Sequence, residues 1–484
     1  MVFSSITFLY LFLPIFLLIY FITKNKYKNH VILIMSLIFY FHGEGIYVII
    51  MIVYMVFNYI FGLYIEKHRS FITAGGDVWA KRILVISLIF NLGLLVFFKY
   101  FNFILENLNI FLSTIGLSYK FPHSPVHLPI GISFFTFQAV SYVIDVYRKD
   151  VHAQGGLINF SMYKALFPQL IAGPIVRYKD ISEQVTGRTV TYEKFAGGIE
   201  RFLIGLAKKV LIANNVGEAA DIIFNLKFNE LSFDVAWLGV LCYSLQIYFD
   251  FSGYSDMAIG LGKMMGFDFL ENFNYPYISK SIKEFWRRWH ISLSSWFRDY
   301  LYLPLGGNRH GEAKTYVNLF LVFFFCGLWH GASWLFVIWG CWHGIFLILE
   351  RVFLGRILSR ISPFIQHGYT ILIIMTGWVF FRAHSVNHSI VLLENLFGFN
   401  GITTHNISAY INTKVLLAII SGMIFATPVF KYLTIFIAQS SLFKINIIRK
   451  VMQEMFKWSL IILLIICTVV LSSSTFNPFI YFRF

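Results

Sequence analysis

Long apolar runs separated by short polar turns dominate this chain. The first five runs lie at about 5–23, 31–41, 46–65, 83–105 and 128–147. Runs of this kind predict transmembrane helices. The turn after the first run is basic, with Lys24, Lys26 and Lys28, whereas the next turn, at 42–45, has no Lys or Arg. Later turns continue this alternation. Because cytoplasmic turns carry the excess of Lys and Arg, the pattern predicts an amino terminus outside the cytoplasm.

The later runs are less regular. The segment FPQLIAGPIVR at 167–177 contains two prolines and Gly173, which predicts a broken or re-entrant piece rather than a straight span. Further spans are expected near 369–381, 415–436 and 457–472, with a polar loop over 382–414. The pattern predicts an all-α, polytopic membrane protein. We expect about eleven transmembrane helices with re-entrant and interfacial helices, in a single domain covering 1–484.

A tryptophan-rich amphipathic helix is predicted to begin at Ser281, because Ser281 and Glu284 form a capping box. Apolar residues then recur at helical spacing and form one stripe: Trp286, Trp289, Leu293, Trp296 and Tyr300. His290 lies beside this stripe, in the same predicted helix. A helix with tryptophans on one side and arginines on another also suits a membrane interface, in which case His290 is incidental.

The apolar run from 316 to 349 is too long for one span, because it would make roughly 50 Å of helix. Gly327 and Gly331 bracket the predicted break, after a first piece of about a dozen residues, and the run is expected to form a rod kinked there. His330 then lies at a helix end inside the membrane, where an ionisable residue is a functional candidate. The alternative is a histidine that only packs helices together. His343 stands in a second Trp-His-Gly triplet, and we expect only one of the two histidines to face a site.

The segment 243–269 carries two carboxylates, Asp250 and Asp256, inside an apolar span. Carboxylates at such depth are costly unless they are paired or hydrated. Their spacing does not suggest an acid–base pair. They could pair with arginines such as Arg287 or Arg288, or take part in a site.

Composition supports a membrane protein: 58% of the 484 residues are hydrophobic and only 13% are charged. The formal charge of +15 is typical of positive-inside turns and contact with anionic lipid, and nothing suggests nucleic-acid binding. The four cysteines lie in apolar runs without metal-ligand spacing, so they are read as small buried side chains. His384, His388 and His405 share a polar loop, but nothing completes a ligand set and no metal is expected.

Several motifs together resemble the membrane-bound O-acyltransferase (MBOAT) family. They are EFWRRWHISLSSWFRDYLYLPLGG, GLWHGASW, the DFSGYSD run that contains Asp250 and Asp256, FPQLIAGPI and the ending NPFIYFRF. The signature region is 243–344. More narrowly, the chain is similar to the alginate O-acetyltransferase branch of bacterial polysaccharide acetylation proteins. The resemblance implies a ring-like bundle around a central pore, which donor and acceptor approach from opposite faces.

Acyl transfer needs a base for the acceptor hydroxyl, a donor for the developing oxyanion and a cationic docking site for a charged acyl donor. The resemblance implies His330 as the general base, with His290 orienting substrate or stabilising the oxyanion. The two roles could be exchanged. Further candidates for contacts with substrate or donor are Arg287, Arg288, Arg298, Asp250, Tyr254, Asp256 and Trp329. Lys280 and Lys283 could also hold donor phosphates, although all these cations could equally contact lipid.

The expected activity is transfer of an acetyl group from cytoplasmic acetyl-CoA, a co-substrate, to hydroxyls of a cell-envelope polysaccharide. Transfer could be direct or pass through a periplasmic SGNH-type acetyltransferase, and the location would be the bacterial inner membrane. No bound cofactor is expected. D-alanyl transfer to teichoic acid and a non-enzymatic transporter are the alternatives. No G-x-S-x-G, H-E-x-x-H or P-loop motif is present.

Overall fold

The computed structural model describes residues 2–69, 76–117, 119–122, 125–227, 231–399, 406–439, 446–473 and 476–480. Regular structure within these ranges is helical, and none of it is β-strand, so the all-α class is confirmed. The chain forms two compact units. The first comprises Met1–Gly198, Leu261–Leu270 and Gly331–Ser333, and the second comprises Ile199–Gly260, Glu271–His330 and Trp334–Phe484. A single domain over 1–484 stays a prediction.

The first unit begins with a π-helical turn, Phe8–Phe12, that continues into the first helix. Its helices are α1 (Leu13–Ile22), α2 (Lys28–Glu44), α3 (Val48–Arg69), α4 (Gly76–Thr114), α5 (Ile132–Arg148), α6 (Leu157–Ala165), α7 (Phe167–Leu170), α8 (Tyr178–Gly187) and the start of α9 (Tyr192–Ala207). The core packs Phe135 of α5 against Tyr40 of α2 and Tyr54 of α3. Asn58 and Asn91 exchange side-chain hydrogen bonds of 2.9 and 2.8 Å, so these buried amides of α3 and α4 satisfy each other.

The broken segment predicted at 167–177 is confirmed. The helix there, α7, spans only Phe167–Leu170, and the chain is irregular until Tyr178. Gly173 permits a close approach of the backbone to itself, because a Cβ atom there would lie 2.6 Å from the Pro168 carbonyl oxygen. A larger residue at this position would therefore force the turn open.

The second unit contains the rest of α9 and a π-helical turn at Lys208–Ala213. Its other helices are α10 (Asn214–Phe224), α11 (Phe233–Met264), α12 (Ile282–Arg288), α13 (Ile291–Phe297), α14 (Glu312–His330), α15 (Trp334–Leu349), α16 (Gly355–Leu358), α17 (Pro363–Arg382), α18 (Val386–Leu396), α19 (Thr413–Phe425), α20 (Val429–Gln439) and α21 (Asn446–Ser473). The four cysteines, of which three are buried, are all free thiols, as predicted.

Six apolar helical stretches in the described residues are long enough to cross a membrane, or up to seven if one bent pair counts as a span. The bent pair is Thr413–Phe425 with Val429–Ile437, which meet at 63°. The span predicted at 415–436 corresponds to this bent pair, whose break contains Pro428; a proline disfavours helical backbone for the residue before it. The multi-pass membrane class is confirmed. About eleven spans and a ring-like bundle with a pore stay predictions.

The apolar run 316–349 forms a helical hairpin and not a kinked rod. α14 runs for 19 residues from Glu312 to His330, longer than the dozen expected, and α15 packs against it in the antiparallel sense. Gly327 does not mark the break, because it lies inside α14. A Cβ atom on Gly327 would lie 2.3 Å from the Phe336 carbonyl oxygen, and one on Gly340 would lie 2.3 Å from that of Phe323. These glycines therefore let the two backbones touch. The prediction that His330 ends a helix is confirmed.

The segment 382–414 is not entirely loop, because it contains α18. Ser385 caps this helix by accepting the amide hydrogen of His388 at 3.1 Å. The Nδ1 atom of His388 accepts the His384 amide hydrogen at 3.2 Å, which gives this ring a local role. His405 lies outside the described residues.

Candidate active site

The start of α12 is as predicted. The Ser281 hydroxyl accepts the amide hydrogen of Glu284 at 3.0 Å. The Glu284 carboxylate in turn accepts an amide hydrogen at 3.0 Å, from Lys280 rather than from Ser281. The Ser281 bond satisfies one amide group that the first turn of the helix leaves unpaired.

The prediction of one continuous helix through His290 is wrong. α12 ends at Arg288, and His290 has a left-handed backbone with φ +44° before α13 begins. The preceding loop holds this break: the Asn274 amide donates to the Arg288 carbonyl at 2.9 Å, and the Ile291 amide donates to the Asn272 carbonyl at 3.0 Å. A left-handed non-glycine residue costs about 1–3 kcal/mol, and such residues cluster at functional sites.

The His290 side chain is fully buried and its orientation is fixed by Asn272. Its Nδ1 atom lies 3.2 Å from Asn272 Oδ1, which also accepts the amide and hydroxyl hydrogens of Ser292 at 3.2 and 2.9 Å. Because the backbone N–H of Ser292 can only donate, the Asn272 atom that it contacts is the oxygen, and His290 Nδ1 must donate to that same oxygen. A neutral His290 therefore carries its lone pair on Nε2, a buried atom without a hydrogen-bond partner among the described residues.

His330 lines a small cavity of about 10 Å³ within the second unit. Its walls are otherwise apolar or aromatic: Ile247, Phe251, Trp289, Trp339, Trp378, Phe381 and Ile480. The His330 ring stands edge-on to Trp339, with centroids 4.9 Å apart, and lies 5.2 Å from Phe381. The cavity is about the size that one water molecule needs. An acyl group can enter only if some of these rings move.

The two candidate histidines have aromatic neighbours in common. Phe251 lines the His330 cavity, and its ring centroid is 4.6 Å from that of His290. The Trp329 ring lies 6.0 Å from His290 and 5.0 Å from His330. α11, the break after α12 and the end of α14 thus supply one site.

His343 is buried but does not line this cavity. Its ring lies 5.2 Å from both Trp286 and Trp339. Neither of its ring nitrogens has a hydrogen-bond partner in the part of the chain that the structure describes. A Cβ atom on Gly377 would lie 2.8 Å from its Nε2, so the glycine makes room for the imidazole.

The predicted basic residues separate into different environments. Lys283, Arg287 and Arg298 line a second cavity of about 460 Å³, together with Trp286, Ser294, Ser295 and other residues of α13 and α14. Arg298 also pairs with the neighbouring Asp299 at 2.7 Å. Arg288 does not line this cavity; it pairs with Glu284 at 2.9 Å and donates to the Asn274 carbonyl. Lys280 lines a different, mostly apolar cavity beside α11, α17 and α19.

The intramembrane carboxylates are paired, but not with Arg287 or Arg288, so that pairing prediction is wrong. Asp250 lies 2.8 Å from the Lys209 ammonium and accepts the Ile480 amide hydrogen at 2.8 Å. Asp256 pairs with Arg201 at 2.7 Å and with Lys208 at 2.6 Å.

Tyr254 belongs to the same carboxy-terminal contact, because its ring stacks on Phe479 with centroids 4.6 Å apart. None of Asp250, Tyr254 and Asp256 lines the cavity beside His330. Their contacts instead hold the carboxy-terminal segment and the π-helical turn Lys208–Ala213 against α11.

Sequence reasoning missed Asn272 and Trp339. Asn272 lies in a polar loop. It contacts His290 only because the helix breaks at His290, and no Gly or Pro in the sequence indicates that break. Trp339 is one of several tryptophans in an apolar helix, and only the fold shows that it contacts His330. No local pattern distinguishes either residue from its neighbours.

Residues 125–386, which contain both candidate histidines, match the membrane-bound O-acyltransferase family, MBOAT. The chain belongs to this family. MBOAT proteins catalyse acyl transfer to oxygen, and this chain is accordingly a membrane O-acyltransferase, as the sequence motifs predicted.

Curated relatives narrow the branch of the MBOAT family. The chain is 47% identical to Probable alginate O-acetylase AlgI of Pseudomonas aeruginosa, over 82% of this chain and 75% of that protein. It is 42% identical to the protein of the same name from Pseudomonas putida, over the full length of both. It is 35% identical to Peptidoglycan O-acetyltransferase of Helicobacter pylori, over 100% of this chain and 98% of the relative. The predicted resemblance to the alginate branch of the MBOAT family is confirmed.

Proposed function

We propose that this enzyme transfers an acetyl group from cytoplasmic acetyl-CoA to hydroxyl groups of a cell-envelope polysaccharide. The names of its full-length relatives, an alginate O-acetylase and a peptidoglycan O-acetyltransferase, support acetyl as the acyl group and a glycan as the acceptor. The observation that carries the chemistry is the pair of buried imidazoles, His290 and His330, beside one aromatic wall.

His330 is proposed as the general base. The acceptor oxygen attacks the thioester carbonyl carbon, the carbonyl π electrons move onto oxygen, and His330 takes the hydroxyl proton. The intermediate then collapses and expels a thiolate, which receives this proton. One ester and one thiol leave, and His330 returns to its neutral form.

His290 is proposed to orient the acceptor. With Nδ1 donating to Asn272, the neutral ring offers only a lone pair at Nε2, so it accepts a hydrogen bond from a sugar hydroxyl. The same tautomer argues against the oxyanion role for His290, because Nε2 then has no hydrogen to donate.

The donor phosphates are proposed to bind in the cavity lined by Lys283, Arg287 and Arg298. Arginine and lysine suit phosphate oxygens through charge-assisted hydrogen bonds. Arg288 fits this role less well because Glu284 already pairs with it. No bound cofactor is needed, since acetyl-CoA itself supplies the activated acyl group.

The proposed location is the bacterial cytoplasmic membrane, with the amino terminus outside. A periplasmic SGNH-type acetyltransferase is the proposed partner where transfer to the polysaccharide is not direct. Both histidines are shielded from solvent and lie among apolar helices, which supports a reaction site within the membrane.

Transfer of label from acetyl-CoA to envelope glycan, measured in membranes, tests the function. Mass spectrometry of the glycan with and without the protein identifies the acyl group. We expect His330→Ala to lower kcat by about 10²–10⁴-fold and His290→Ala chiefly to raise KM for the acceptor. His42→Ala, at an exposed histidine, serves as the control at equal membrane abundance.

Full acetylation by His330→Ala would rule out this mechanism. Incorporation of alanine instead of acetyl would support D-alanyl transfer, and transport of label without any new ester bond would support a transporter.

A further inference from the structure

Trp339 has a buried indole N–H that the fold leaves unused. The residue is 0% exposed, and within the described residues its Nε1 atom has no hydrogen-bond partner. Other buried polar groups in native proteins are nearly always bonded, so each exception calls for an explanation. Trp342 and Trp378 follow this rule: their indoles donate to the Ile373 carbonyl at 3.0 Å and to the Tyr277 hydroxyl at 3.2 Å.

Within the described residues the buried indole N–H of Trp286 likewise has no hydrogen-bond partner, so the positions of these two rings have to be compared. Trp286 lines the second cavity, which contains Arg287 and Arg298, whereas Trp339 lines the cavity beside His330. The Trp339 ring is held in place by Trp378, stacked at 6.0 Å, and by Phe381 at 5.0 Å. Groups that stabilise an oxyanion are hydrogen-bond donors held in a fixed position and shielded from water. The Trp339 N–H has this arrangement and lies next to the proposed base.

We propose that Trp339 is a catalytic residue that donates its indole hydrogen to the oxyanion of the acyl-transfer intermediate. This inference rests on the proposed function. When the acceptor hydroxyl oxygen bonds to the thioester carbon, the carbonyl oxygen gains the π electron pair and a full negative charge. Trp339 stabilises that charge without giving up its proton, and the electron pair returns when the carbon–sulfur bond breaks.

The chemistry of the site needs such a donor. His330 acts as the base that takes the proton of the acceptor hydroxyl. The neutral tautomer of His290 has no hydrogen on Nε2 to donate. The cavity volume of about 10 Å³ is enough for one oxygen atom between His330 and the aromatic walls. Among the other residues that line the cavity, only Trp289 and Trp378 have a side-chain N–H. The N–H of Trp378 already donates to the Tyr277 hydroxyl.

Trp339→Phe in the full-length protein tests the proposal, because phenylalanine keeps an aromatic ring and removes the N–H. We expect kcat for labelled acetyl transfer to fall by about 10²-fold, with KM for acetyl-CoA and for the acceptor nearly unchanged. The melting temperature in detergent should not fall by more than the smaller ring explains, since no hydrogen bond is lost. Trp342→Phe is the matched control on the same helix: it should keep kcat and lower the melting temperature.

A wild-type protein that transfers no acetyl would overturn the proposed function. A wild-type protein that is active beside a folded Trp339→Phe variant with normal kcat would overturn only the role of Trp339. If Trp339→Phe does not fold, replacement of Trp339 by benzothienylalanine, which has sulfur in place of N–H in a ring of similar shape, gives the same two outcomes.

Discussion

Replacing Asn272 separates the structural role of its hydrogen bonds from their effect on His290. Asn272→Ala removes three hydrogen bonds that end on one oxygen, from His290 and from the amide and hydroxyl of Ser292. At about 1 kcal/mol each, their loss should lower the free energy of unfolding by about 3 kcal/mol. That corresponds to roughly a 100-fold change in the unfolding equilibrium.

Asn272→Asp should separate stability from activity. A carboxylate still accepts all three hydrogen bonds, so most of the stability should return. It also favours the charged imidazole of His290, whose Nε2 then carries a hydrogen and no longer accepts one. We therefore expect a high KM for the acceptor in both variants, with a melting temperature near wild type only in Asn272→Asp.

Thermal unfolding in detergent and acetyl-transfer kinetics measure these two effects. Asn395→Ala is the control, because it removes a buried asparagine whose amide donates one hydrogen bond, to the Val391 carbonyl. It should cost about a third as much stability and leave the acceptor KM unchanged. If Asn272→Asp restores activity together with stability, the tautomer argument for His290 is refuted.

Three further substitutions test other features. His343→Leu should raise the melting temperature, because leucine removes two buried ring nitrogens without partners in the described chain, a gain of about 1–2 kcal/mol; a lower melting temperature would show that the imidazole has a partner. Gly327→Ala should sharply reduce the folded yield on size-exclusion chromatography, because the new Cβ would lie 2.3 Å from the Phe336 carbonyl oxygen, and a normal yield would mean that the hairpin can relax. Asp250→Asn should cost about 3–5 kcal/mol in unfolding measurements by leaving the Lys209 ammonium buried without its counter-charge, whereas little loss would mean that water reaches this pair.

Local signals in the sequence predicted local structure well. The Ser281 and Glu284 pair correctly indicated the start of α12, because the Ser281 hydroxyl and the Glu284 amide hydrogen that it accepts lie within one helical turn. The prolines of 167–177 likewise indicated a broken segment, since proline lacks an amide hydrogen. The sequence also predicts a helix end at His330, which is the last residue of α14.

The parts that were missed depend on contacts between distant residues. The break at His290 is held by backbone hydrogen bonds with Asn272 and Asn274, which belong to the preceding loop. Nothing in the run RRWHIS indicates this break. The sequence predicts a break next to Gly327, whereas this glycine allows a close approach to Gly340 across the hairpin. The partner of Asp250 is Lys209, 41 positions earlier in the chain, which helical spacing cannot reveal.

The contact between Gly327 and Gly340 has a consequence for substrate preference. A Cβ atom on Gly340 would lie only 3.1 Å from the Gly327 Cα, so the two helix backbones are in close contact at this point. We therefore expect His330, the last residue of α14, to keep its position when the acyl group enters. Room for a longer or bulkier acyl chain would have to come from the side chains of α11 and α17, such as Phe251 and Phe381. Relatives that handle other acyl groups should accordingly differ at those walls and keep the glycine pair.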